Sequence, residues 1–174
     1  MDVPKRYSLS KVQNQQLIKN QPAMNKIVFV VLFGLISTLS YSQKIDYNVQ
    51  DGYIAEGYDV VAYFSQKAVK GKQQYIYSYD GVHYKFSSRE NLNTFKANPT
   101  KYIPQYGGWC AYAMGEKGEK VAINPKTFEI RNGKLYLFYN AFFNNTLESW
   151  LEEGPERLRK KADANWQRIK WAQR

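Results

Sequence analysis

The sequence predicts an α+β domain, with a small antiparallel sheet built from two hairpins and packed against short helices and a longer C-terminal helix. Two alternating segments, each interrupted by Asp-Gly or Asn-Gly, predict the hairpins, because these pairs suit tight two-residue hairpin turns. Helix signals lie between and after the hairpins. That arrangement favours an α+β domain over a parallel sheet.

The first predicted hairpin spans residues 75–86 and turns at Asp80-Gly81. Opposed residues in a sheet share a side, so the register gives the hairpin one aromatic face. The pairs predicted on that face are Tyr79–Val82, Tyr77–Tyr84 and Tyr75–Phe86. The opposite face is predicted to carry the pairs Ser78–His83 and Ile76–Lys85, which leaves His83 facing water.

The second predicted hairpin spans residues 128–137 and turns at Asn132-Gly133. Its register places apolar side chains on one face: Phe128, Ile130, Leu135 and Leu137. The other face carries Glu129, Arg131, Lys134 and Tyr136. Two hairpins that each have one apolar face predict a sheet with one solvated side.

Four helical segments are predicted. Ser87 or Ser88 caps the first, which stops near Asn98-Pro99. A second, short helix is expected from a cap at Gly108 through Met114. A third covers residues 146–151. The last begins at Pro155, in the favoured first position, and carries an apolar stripe of Leu158, Ala162, Trp166 and Ile169.

The N-terminal segment predicts export. Residues 27–39 are apolar, follow Lys26, and precede Ser40 and Ser42, a pattern typical of a secretory signal cut before Gln43. We therefore divide the chain into residues 1–42, an N-terminal extension and signal peptide, and residues 43–174, a single domain in the periplasm or outside the cell. An uncleaved anchor is the alternative, although the run is short for a span of roughly 20 residues. Translation can start at Met1 or Met24.

Composition disfavours most enzyme classes and a nucleic-acid partner. The chain has one cysteine, Cys110, and one histidine, His83, whereas a structural zinc site needs about four such ligands. The net charge is +10. Five of the 25 basic and one of the 15 acidic residues precede Gln43, so the predicted mature chain carries +6. The C-terminal basic residues fit a solvated helix face. We expect no enzyme activity and no stable membrane insertion after signal cleavage.

Several segments together resemble the exported YHS-domain proteins. They are residues 57–64, 84–91, 98–102, 106–113 (YGGWCAYA), 134–137 and 162–166. The resemblance implies a small domain often described as metal-binding. It also shows a departure, because metal-binding relatives typically carry cysteines where this chain has Ser87-Ser88 and, a few residues later, Asn91 or nearby polar residues.

Three interpretations of Cys110 are open. If Cys110 and Met114 lie on one helix, their spacing puts both sulfurs on one face, where they would suit a soft metal such as Cu(I). His83 or a tyrosine is then the nearest third donor, so the candidate metal ligands are Cys110, Met114 and His83. Alternatively, a Cys110 in the first helical turn is a thiol favoured as thiolate. In the third interpretation Cys110 is inert core. The partner is accordingly a metal ion, a small ligand or a protein.

Overall fold

The structure is a computed structural model that describes residues 44–171. The strands within that range are β1 (Val49–Gln50), β2 (Tyr53–Ile54), β3 (Lys72–Tyr79), β4 (Val82–Phe86), β5 (Asn124–Arg131), β6 (Lys134–Phe138), β7 (Asn140–Ala141) and β8 (Asn144–Asn145). The α-helices are α1 (Arg89–Ala97), α2 (Pro99–Tyr102), α3 (Ala111–Glu116), α4 (Thr146–Glu152) and α5 (Pro155–Ile169). Three 3₁₀ segments are Ala55–Gly57, Ala62–Ser65 and Gln105–Gly108. The predicted α+β class is confirmed.

The strands form three small sheets. One has the order β1-β2-β4-β3, and β5-β6 and β7-β8 are separate pairs. The two predicted hairpins therefore do not share one sheet. Strand β4 instead pairs in parallel with β2, where Tyr53 is opposite His83. This partner lies upstream in the chain, beyond the reach of hairpin turn signals.

The register of the first hairpin is confirmed near its turn. The observed pairs are Tyr79–Val82, Ser78–His83, Tyr77–Tyr84 and Ile76–Lys85. The predicted pairing of Tyr75 with Phe86 is wrong, because Phe86 pairs with Lys72 after a register shift between Lys72 and Ile76. Extra residues in one strand produce such a bulge, and the alternation of side chains does not reveal it.

The predicted turn of the second hairpin is confirmed, and its strands pair from Arg131–Lys134 at the turn to Phe128–Leu137. The expectation of one solvated face is wrong here. Tyr136 is buried, its ring centroid is 5.8 Å from that of Trp150 on α4, and Glu129 accepts a hydrogen bond from Trp150 Nε1–H at 2.9 Å. Helix α4 thus covers the face that carries Tyr136.

Most helix boundaries follow their predicted caps. The Ser88 side chain accepts a hydrogen bond from Asn91 N–H at the start of α1, and α5 begins at Pro155. Helix α3 is the exception, since it begins at Ala111 with Cys110 as its N-cap residue. The predicted start at Gly108 is wrong because Gly107 and Gly108 have φ of 62° and 83°, outside the helical region.

The buried side chains form two clusters. One includes Cys110, Tyr84 and Phe86 from the first hairpin, and Leu135 and Leu137 from the second. The other lies between β6, α3, α4 and α5, and its members are Tyr106, Ala111, Met114, Tyr136, Phe138, Trp150, Leu158 and Ala162.

Within residues 44–171, no helix combines the length and apolar character that crossing a membrane would require. The predicted signal segment and its cleavage site before Gln43 lie outside the described residues.

Candidate functional site

Cys110 lies at the junction between an extended segment and helix α3. Its N–H donates a hydrogen bond to the Val121 carbonyl at 3.0 Å, and its own carbonyl accepts from Met114 N–H at 3.0 Å. Both bonds hold the backbone at the N-cap position. The side chain is fully buried.

The Cys110 sulfur belongs to a closed hydrogen-bond network. Thr146 Oγ1 donates to the Tyr139 carbonyl at 2.8 Å, and Tyr139 N–H donates to Cys110 Sγ at 3.3 Å. Thr146 Oγ1 also lies 3.4 Å from Cys110 Sγ. A hydroxyl has one proton, and Thr146 uses it on the carbonyl. In the contact with Sγ, the S–H is then the donor and Thr146 Oγ1 the acceptor.

This network bears on the three interpretations of Cys110. A thiolate or a sulfur bound to a metal would lose the S–H donor, and Thr146 would have to rotate away from the Tyr139 carbonyl to compensate. Thiol-redox chemistry needs an exposed sulfur, whereas Cys110 is buried. The geometry favours the packing interpretation.

A cavity of about 260 Å³ lies beside Cys110. Its walls come from helix α3, the loop after it, the end of β6 and the start of α4. Those walls include Tyr112, Val121 and Tyr139, together with the charged residues Glu116, Lys117 and Glu119. The two carboxylates outnumber the one ammonium group, so the cavity favours a small ligand that carries positive charge.

Neither of the other two predicted metal ligands lines this cavity. Met114 is buried in the second cluster, whereas Cys110 belongs to the first. His83 is exposed, and its Nδ1 is 2.7 Å from Ser78 Oγ; it lines a different cavity from the one beside Cys110. Among the described residues, no group of three or more His, Cys, Asp or Glu side chains could hold a metal ion. The structure does not bring Met114 or His83 to the cavity that Cys110 lines.

A buried carboxylate, that of Asp59, lies beside Ser87 and Asn91. Asp59 Oδ2 accepts hydrogen bonds from Ser87 N–H at 2.8 Å, Ser87 Oγ at 2.6 Å and Asn91 Nδ2 at 2.7 Å. Asp59 Oδ1 accepts from the N–H groups of Val61 at 2.9 Å and Ala62 at 3.3 Å. These five bonds satisfy the carboxylate internally, and they join the first 3₁₀ turns to the start of α1.

Sequence reasoning missed the hydrogen-bond partners of the Cys110 thiol and of the Asp59 carboxylate. The bonds to Val61 and Ala62 are typical of an aspartate in a turn, but sequence reasoning did not connect Asp59 to Ser87 and Asn91. It also did not single out Thr146 or Tyr139. The polar residues Ser87 and Asn91, at positions where the family resemblance implies cysteines, could have predicted the interaction. Half-buried polar side chains need a polar partner.

Residues 60–106 match the family model of the YHS domain. The chain contains a YHS domain. Asp59 immediately precedes the matched part of the YHS domain, His83 lies inside it, and Cys110 and Met114 follow it. No curated protein and no solved structure matches the chain.

Proposed function

We propose that this YHS-domain protein is an exported binding module whose ligand occupies the cavity beside Cys110. The observation that carries the proposal is the concave wall that combines aromatic and apolar side chains with a few charged groups, which is typical of small-molecule sites. Its volume of about 260 Å³ suits a ligand of few heavy atoms. Cys110 forms part of the wall.

Two probes of equal size and opposite charge test this proposal. Benzylamine should bind in preference to benzoate, because Glu116 and Glu119 oppose only Lys117 in the cavity. Binding should shift the amide NMR signals of Tyr112 and Val121. The proposal fails if neither probe shifts these signals.

A cavity-filling variant provides the control. Ala113 lines the cavity and is half-buried on α3, so Ala113→Phe should block the site. Ala122 is exposed and does not line the cavity, so Ala122→Phe should leave binding unchanged. Equal binding by both variants would place the ligand somewhere else.

A soft metal ion at Cys110, with Cu(I) as the case to test, is the second candidate. The YHS domain favours it, since the family resemblance implies metal binding, and thiolates select soft ions. Binding would release the thiol proton, so affinity should rise with pH until the thiol is ionised. Reduced protein should then compete with a chelator for Cu(I), and Cys110→Ser should abolish that competition.

The same Cu(I) titration tests whether Cys110, Met114 and His83 bind the ion or whether Cys110 has only a structural role. Met114→Leu and His83→Ala should each weaken Cu(I) binding if these residues complete the site, and neither should unfold the protein. If Cys110 is a structural thiol, the native protein should not compete for Cu(I). Its sulfur should then react with thiol reagents only after denaturation, because it is fully buried.

Export is supported by the pattern of residues 27–43 alone. Processing should give a mature protein that begins at Gln43, in an extracytoplasmic fraction. Intact-mass measurement of the recovered protein is the direct test. A mass that retains residues 27–39 would instead favour the anchored alternative.

A further inference from the structure

The hairpin β7–β8 ends in two exposed phenylalanines. Asn140 pairs with Asn145 and Ala141 with Asn144, so Phe142 and Phe143 form the two-residue turn. Their relative exposures are 91% and 112%, the largest among the exposed apolar side chains of the described chain. Neither ring is buried on folding, so neither contributes hydrophobic stabilisation to the fold.

The backbone of this turn disfavours phenylalanine. Phe142 and Phe143 have φ of 51° and 65°, and a bulky residue at positive φ is a genuine outlier. The described chain builds its other three hairpins with preferred residues, Asp51-Gly52, Asp80-Gly81 and Asn132-Gly133, whose φ values are also positive. The β7–β8 hairpin thus departs from a rule that the same chain obeys three times, and strain of this kind is found where function requires it.

We propose that the Phe142–Phe143 tip inserts into the interfacial region of an anionic lipid bilayer. The contact area argues for a bilayer over a protein partner. Two rings at a hairpin tip fall well short of the roughly 800 Å² per partner that a stable protein interface buries. A bilayer needs no complementary surface, and aromatic side chains are stable at its interface.

The charge distribution agrees with a lipid surface. The six hairpin residues, 140–145, include no charged side chain, so insertion would not remove a charge from water. Lys117 and the hairpin residue Asn144 line one cavity. Lys126 and the hairpin residue Asn140 line another. Glu116 and Glu119 lie near Lys117, and Asn145 donates a hydrogen bond to Glu148. Attraction to anionic headgroups therefore comes chiefly from the net charge of the protein, which is +10 for the whole chain and +6 from Gln43 onward.

A fluorophore beside the tip reports insertion directly. In the full chain, Asn144→Cys is labelled with the polarity-sensitive dye NBD and titrated with vesicles of phosphatidylcholine and phosphatidylglycerol. The emission should shift to the blue and intensify. The matched control is Asn132→Cys, at the tip of another hairpin of the same turn geometry, and its emission should not change. The unsubstituted chain, with only the buried Cys110, serves as the labelling blank.

The double variant F142N/F143G tests the role of the rings. It restores the preferred turn residues, so its stability to denaturant should equal or exceed that of the parent chain. In the labelled Asn144→Cys chain it should lower the apparent partition onto the mixed vesicles by roughly tenfold or more, because two apolar side chains are removed. Pure phosphatidylcholine vesicles should give a weaker response in the parent.

Three results would overturn the proposal. They are the absence of any blue shift at position 144, an equal shift at position 132, and an unchanged partition of the stable F142N/F143G variant. Equal responses to phosphatidylcholine alone and to the mixed vesicles would overturn the requirement for anionic lipid.

Discussion

Trp166 on helix α5 packs directly against the backbone of Gly107. A Cβ atom placed on Gly107 would lie 2.8 Å from Trp166 Cη2 and 3.2 Å from the Asp46 carbonyl oxygen. Gly107 also has φ of 62°, and its carbonyl accepts a hydrogen bond from Asn48 N–H at 2.9 Å. The C-terminal helix and the first described residues therefore meet at the segment that leads into Cys110.

Gly107→Ala should destabilise the protein by roughly 2–4 kcal/mol, because overpacking adds to the cost of positive φ. Gly133→Ala is the matched control, since Gly133 has φ of 70° but no atom within 4 Å of the added Cβ. Gly133→Ala should lower the free energy of unfolding by only about 1 kcal/mol. Urea denaturation measures both. Equal losses would mean that Trp166 moves aside without cost.

Tyr84→Phe should leave stability unchanged or raise it by up to about 1 kcal/mol. The Tyr84 hydroxyl is buried and has no hydrogen-bond partner among the described residues, so removing it ends a desolvation cost. The ring, 4.6 Å from that of Phe95 between centroids, is retained.

The control for this change is Tyr63→Phe. The buried Tyr63 hydroxyl donates to the Pro125 carbonyl at 2.6 Å, so its removal should cost about 1–2 kcal/mol. The changes in stability of the two variants relative to the parent, measured by thermal and urea unfolding, should differ in sign or clearly in size. Similar losses would indicate that the Tyr84 hydroxyl has a partner.

Asp59→Asn should destabilise the protein by roughly 2–4 kcal/mol. The new amide would turn NH₂ toward N–H or O–H donors that now bond to the carboxylate, and the unmatched groups are buried. Asp80→Asn is the control, because Asp80 is exposed in a turn where Asn-Gly is equally suitable, and the new amide oxygen can still accept the hydrogen bond from the Tyr47 hydroxyl. Denaturant titration should show little change for Asp80→Asn. A loss in Asp59→Asn no larger than in this control would contradict a structural role for Asp59.

Stability should decline in alkaline solution partly through Tyr136. Burial, followed by the nearby Asp163 carboxylate, raises the pKa of Tyr136 to about 12 in the folded protein, whereas an unfolded tyrosine has a pKa of about 10. The folded state thus holds the proton more tightly. The stability that the protonated Tyr136 contributes to the folded state is fully present below about pH 10 and is lost as pH rises towards 12.

Tyr136→Phe provides the test of that linkage. The free energy of unfolding of the variant should fall less steeply between about pH 10 and about pH 12 than that of the parent. The other tyrosines are present in both proteins, so the difference between the two curves reports chiefly on Tyr136. Parallel curves would show that the folded protein does not hold this proton.

Local patterns in the sequence were sufficient to predict two hairpins and most helix ends, but not the β1–β2 and β7–β8 hairpins or helix α2. Asp80-Gly81 and Asn132-Gly133 set the register near each turn, and Ser88 and Pro155 marked helix starts. These signals act over a few residues and through backbone conformation. The bulge that moved Phe86 opposite Lys72 lies farther from the turn, where the alternating pattern allows more than one pairing.

The sequence by itself determined the α+β class, the resemblance to the YHS family and the importance of a single cysteine. Only the tertiary structure decided the state of that cysteine. Tyr139 and Thr146, which hold its sulfur, lie 29 and 36 residues away along the chain, and the burial of Tyr136 depends on Trp150 from another element. Hydrogen-bond partners and covered faces arise when distant segments pack together, so neither can be derived from spacing or periodicity along the chain.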